Sequence, residues 1–210
     1  MSQGLRYHPK ETDLLEARQV FREHESRDLF YQAARELIRF AIAGQTTLSV
    51  AEALGTLLQT WNKSFYRFHR TFDEIHFRAL EKVVEDTSDK WKAWRLRSIE
   101  SLVPEEMQDM RDIFAAFELV LGPVGAAKAL HLLSPTFFPL WDRKIASGYG
   151  VAIRRIGQNA TRYVRFVEIT RDQVSALNTS QLPKEEVLKL IDEYNYSLIT
   201  KGWIPRAEIP

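Results

Sequence analysis

Apolar positions recur along this chain at spacings of three and four residues, and the strict alternation of a half-buried strand is scarce. The pattern therefore predicts an all-α protein. A first helix is expected over about residues 11–25. Ser26 can cap a second, whose Leu29, Phe30, Ala33, Leu37, Phe40 and Ala41 form an apolar face ending before Gly44. Ser49-Val50-Ala51-Glu52 reads as a capping box opening a helix to Trp61, and Thr71-Phe72-Asp73-Glu74 as a second box leading through Ile75, Leu80 and Val83. Pro104 suits the first turn of a helix carrying Met107, Met110, Ile113, Phe114, Phe117 and Val120, apolar enough to cross the interior, that stops at Leu121-Gly122-Pro123. A short helix over 124–133 follows, then the loop 134–141, with Asp142 placed as N-cap of the next helix. Helices over about 160–177 and 183–199 complete the chain. The expected architecture is a compact multi-helix bundle, with two helical lobes interleaved in one domain.

Composition narrows the chemistry. At 210 residues and 45% hydrophobic content the chain can bury a sizeable core, and a net charge of +1 announces no overall basic field. The absence of cysteine excludes disulfides, a thiol nucleophile, Cys-ligated zinc and an iron–sulfur cluster. The five histidines fall at no metal-binding spacing, so neither a metal nor another cofactor is expected. Residues 1–10 lack the apolar run of a signal peptide, and no stretch approaches the roughly 18 consecutive apolar residues of a membrane span. A cytoplasmic setting without a membrane partner is the expectation.

The total conceals an uneven charge distribution. Between Arg143 and Arg171 seven basic residues, among them Arg143, Lys144, Arg154 and Arg155, face the single acid Glu168. The segments 61–70 and 90–95 interleave cations with aromatic rings, a combination that meets phosphates and stacks on bases. The plainer reading makes the rings core residues and the cations solvated ends. The segment 121–145 then sets in order a glycine turn, a helix bearing Lys128, and the capping Asp142. Gly122 and Gly125 permit a tight turn, and the N–H groups opening the following helix can seat a phosphate.

This segment resembles the helix-hairpin-helix superfamily of base-excision DNA glycosylases. There a Leu-Pro-Gly-Val-Gly hairpin precedes a helix and a loop that ends in a catalytic, helix-capping aspartate. Leu121 to Gly125, Asp142 and Ile145 carry the likeness over about 25 residues, and Lys128 lies near the position of the nucleophilic lysine of bifunctional members. Two departures stand out. Gly122-Pro123 inverts the Pro-Gly order and sets Lys128 one residue late, a rotation of about 100° on a helix, and the interval to Asp142 is about one turn short. The cluster-free branches, with the archaeal 8-oxoguanine enzymes the nearest, fit best.

The resemblance implies hydrolysis of the N-glycosidic bond of a damaged or modified base flipped out of DNA, in repair or in defence against phage DNA with modified bases. Asp142 would steady the sugar cation, and Lys128 would attack it in a lyase variant. Gly122, Val124 and Gly125 of the hairpin, with Arg143, Lys144, Arg154 and Arg155, would hold the backbone. Trp61, Phe65, Tyr66 and Trp141 would wall the base pocket, with Asn62 or His131 touching a base edge. No obligatory protein partner is implied. Each residue also has a structural reading: Asp142 as a plain cap, Lys128 as a surface lysine, His131 as a satisfied core histidine, Trp61 and Tyr66 as core rings. Taken together those readings describe a non-catalytic helical module binding DNA or protein.

Overall fold

The computed structural model describes residues 8–26, 28–177, 182–183 and 186–205. The described residues form ten α-helices and no strand. In chain order these are α1 (Glu11–His24), α2 (Asp28–Ile42), α3 (Val50–Trp61), α4 (Lys63–Phe68), α5 (Glu74–Asp86), α6 (Ser88–Arg95), α7 (Met107–Leu133), α8 (Arg143–Gly148), α9 (Ala160–Ala176) and α10 (Val187–Asn195). A π-helical turn, Tyr196–Lys201, extends α10.

The apolar run starting after Pro104 becomes α7, the central helix, with Met110, Ile113, Phe114 and Phe117 buried and α3, α5, α6 and α9 packed around it. Pro104–Leu133 is long and apolar enough to cross a membrane by length and composition. Here most of that surface is covered by the other helices, with Leu119 left exposed, and the helix is broken at Gly122, whose φ of 70° and ψ of 169° belong almost only to glycine. The expected stop at Leu121-Gly122-Pro123 is thus a change of direction between two helical halves. Ser49 caps α3 as the motif predicts, accepting from Glu52 N while Glu52 accepts from Ser49 N. The helix expected over 183–199 starts at Val187, and residues 184 and 185 lie outside the described residues.

Three expectations are corrected. The inward stripe of α2 is Tyr31, Ala34 and Ile38, whereas Leu29, Phe30, Ala33 and Phe40 are exposed. The large aliphatic residues mark the wrong face because Tyr31 is drawn inward by its hydroxyl, 2.9 Å from His131 Nε2 on α7, and by its packing on Trp61. The cap of α5 is Asp73, not Thr71: its Oδ1 accepts from His76 N at 2.8 Å, which leaves Ile75 on the solvent face. The segment 90–95 is no base-stacking surface, since Trp91 and Trp94 are buried in the core of α6 with their indoles bonded to Val84 O and Glu106.

α1 and α10 pack together, so the two ends of the fold meet. Arg18 donates to Glu186 and Glu193 across this junction, and the buried Lys189 lies over the rings of Phe21 and Tyr31.

His131 gives this core a pH limit. Its Nδ1–H donates to Phe138 O at 2.8 Å, which leaves Nε2 to accept from Tyr31. Burial pushes the ring down to about 3, against the pull of the Phe138 carbonyl. The unfolded chain takes the proton first, so stability is whole above pH 6.5 and is lost as pH falls from there toward 3, by roughly 5 kcal/mol. His131→Gln is expected to be less stable than the native chain at pH 8 and to show a flatter loss between pH 6.5 and 3 in urea titrations.

Candidate active site

Asp142 stands at the tip of α8 in extended backbone (φ −128°, ψ −177°), its Oδ1 accepting from Ile145 N at 2.7 Å and its Oδ2 from Thr200 Oγ1 at 2.8 Å. The loop before it is held by the core at successive carbonyls. His131 binds Phe138 O and Tyr163 Oη donates to Pro139 O at 2.8 Å. The indole of Trp141 then donates to Pro123 O at 3.0 Å. That last bond ties the residue before Asp142 to the break in α7, which sets the carboxylate beside the turn.

The turn is supported from below. Asn62 ends α3, and its Nδ2 donates to Leu121 O at 3.1 Å, the carbonyl directly before the helix break. The Phe65 ring lies so close to Gly122 that an added Cβ would come within 2.9 Å of it. A Cβ on Gly125 would stand 2.5 Å from Asn62 Nδ2. Both glycines are buried against α4, and Pro123 and Val124 form the accessible part of the turn.

Two cavities meet here. The larger, about 1180 Å³, is lined along one wall by Pro123, Val124, Arg143, Lys144, Arg154 and Arg155 and on the other by Trp61, Asn62, Phe65 and Phe68. The smaller, about 260 Å³, is walled by Phe21, Tyr31, Trp61, Trp141 and Tyr196. Asp142 and Lys128 belong to the lining of both. The Arg154–Arg155 backbone is fixed from within: Asn159 Nδ2 donates to Arg155 O at 2.9 Å and to the fully buried Glu118 of α7 at 2.5 Å.

The fold thus brings together Asp142, Lys128, Val124, Arg143, Lys144, Arg154, Arg155, Trp61, Asn62 and Phe65. Tyr66 and His131 it sets apart. Tyr66 does not reach either cavity: its hydroxyl lies 3.1 Å from His76 Nε2 and its ring meets the edge of Phe72. His131 is wholly buried between Tyr31 and Phe138 and lines neither cavity. Asn62 borders the larger cavity, with one N–H of its amide given to Leu121 O. Trp141 lines the smaller cavity with one edge and is otherwise core, packed on Phe114 and Tyr163. Lys128 Nζ donates to the Trp61 carbonyl and lies 4.8 Å from the Trp61 ring centre, so it steadies that wall. Three residues outside the sequence motif also join: Thr200 on Asp142, Phe30 between the two cavities, and Asp192 in the smaller one. An acid or hydroxyl in a late helix carries no local signal of an aspartate some 50 residues earlier.

Gly122→Ala is expected to cost about 1–3 kcal/mol from its backbone region alone, a fall of roughly 2–4 °C in Tm per kcal/mol, and Phe65→Ala in the same chain should not restore it. Thermal melts of the single and double variants check this. Comparison with protein-family models, with characterised proteins and with solved structures returns no match.

Proposed function

We propose that this chain is a DNA glycosylase that releases a damaged or modified base flipped from the duplex. The observation carrying the proposal is the position of Asp142, in the shared wall of a small aromatic cavity and a cleft rimmed by cations. Rupture of a base–sugar bond develops positive charge on the deoxyribose, and a fixed carboxylate at that point stabilises it. In this reading α7 is the helix-hairpin-helix element. The helix start at Pro123 and Val124 receives a backbone phosphate, Arg143, Lys144, Arg154 and Arg155 extend that contact, and the extruded base enters between Trp61 and Trp141. Thr200 and Ile145 hold the two carboxylate oxygens in place. Lys128 acts as nucleophile only if it leaves the Trp61 carbonyl; otherwise it serves the stacking wall. The setting is repair or the removal of hypermodified bases.

One observation favours a second reading, a DNA-binding module without catalysis: both oxygens of Asp142 already accept hydrogen bonds, as in a purely structural cap. Duplexes carrying single modified bases, incubated with the protein and then treated with alkali to cut abasic sites, separate the two. Asp142→Asn keeps an N-cap acceptor and is expected to lower base release by about 10²-fold or more with DNA affinity retained. Lys128→Ala removes any borohydride-trapped adduct. Release from no duplex of the panel decides for the module. In either reading, Arg154→Ala and Arg155→Ala should each weaken binding and reduce the slope of log affinity against log salt by about 1.

A further inference from the structure

The smaller cavity holds a second carboxyl that the reaction above leaves without a role. Asp192 projects from α10 into the same space as Asp142, with its side chain 15% exposed. It differs from Asp142 in its surroundings. Asp142 is anchored by a backbone N–H on one oxygen and a hydroxyl on the other. Asp192 faces other charges instead. On its own helix Lys189 Nζ is 3.6 Å from Oδ2, but that ammonium is shared with Asp28 of α2 at 3.3 Å and Glu193 at 3.5 Å. Arg18 of α1 is turned to Glu186 and Glu193. Glu25, which follows α1, borders the cavity and accepts from Tyr196 Oη at 3.0 Å. Across the cavity stand the Asp142 carboxylate and the Lys128 ammonium. Burial, reinforced by Glu193 and Asp142, pushes Asp192 up to about 6 against Lys189 and Lys128. Two carboxyl groups in one cavity therefore stand in contrasting surroundings, one held by hydrogen-bond donors and the other set among charges, the arrangement that divides acid from base work.

We infer that Asp192 is the general acid of the proposed base release, so the inference rests on the glycosylase reading and deepens it. As the C1′–N bond breaks, its electron pair passes to the base and the Asp192 proton moves onto the base, leaving the Asp192 carboxylate. Water adds to C1′ and gives up one proton, which the Asp142 carboxylate takes before returning it to solvent, and solvent reprotonates Asp192. The sum is base, sugar hydroxyl and no net change in either aspartate. The substrates that need this help are neutral bases. A ring with a fixed positive charge, such as 7-methylguanine, leaves without a proton.

The test compares single-turnover release of 7-methylguanine with that of neutral bases (uracil, hypoxanthine and 8-oxoguanine) from otherwise identical duplexes, by the native chain and by Asp192→Asn, over pH 5–8. The expected result for the native chain is a neutral-base rate that falls about tenfold per pH unit above about 6. Asp192→Asn loses that limb and slows neutral-base release by about 10²-fold or more, while 7-methylguanine release stays within about threefold, which also shows that the variant folds. Equal loss on charged and neutral bases, no loss on either, or a native chain that releases 7-methylguanine alone each overturns the acid role and leaves the glycosylase reading standing. A native chain that releases none of these bases, when the wider panel is also negative, overturns both.

Discussion

The kink of α7 at Gly122 is the constraint on which the site depends. A central helix continued without a break would carry its second half in another direction, and the Trp141 indole would lose the Pro123 carbonyl that ties down the end of the loop 134–141. With the break in place, the Leu121 carbonyl accepts from Asn62 and the Pro123 carbonyl accepts from the Trp141 indole. One bond anchors the wall that carries Trp61, and the other anchors the residue before Asp142. The buried polar groups nearby follow the same logic. His131, Tyr163 and Asn159 each bind backbone carbonyls of segments that have no helix of their own, which removes the desolvation penalty those carbonyls would otherwise carry.

Charge is partitioned by depth. The exposed rim of the larger cavity is cationic, with Arg143, Lys144, Arg154 and Arg155 along it, whereas the smaller cavity has Asp142, Asp192, Asp28 and Glu25 and, among the described residues, Lys128 and Lys189 as counter-charges. A polyanion held at the rim would present a single residue inward to rings and carboxylates. The chain's net charge of +1, the balance of 29 basic and 28 acidic residues over its whole length, shows nothing of this division.

The local signals that proved readable were those with short-range physics. The Ser49–Glu52 box, the Asp142 cap and the glycine break each involve groups within three or four residues of one another, and each is found where the motif predicts. The aromatic and basic stretch 61–70 also contributes a wall of the cleft, although as a separate helix begun by the turn at Asn62. Errors arose where a residue's direction is set by a distant partner. Tyr31 turns α2 inward because of His131, one hundred positions away, and Tyr66 leaves the pocket because of His76.

By itself, then, the sequence determined the all-helical class, the position of the central break, and the presence of a carboxylate at a helix tip close to it, since hydrogen bonding within a turn or two decides all of these. Which rings line the cavity, that Asn62 and His131 are committed to backbone and core, and that Thr200 and Asp192 join Asp142 were decided only by tertiary structure. The reason is geometric: packing α1 on α10 brings the last helix back to the start of α8, and no periodicity within a single helix encodes which other helix it will meet.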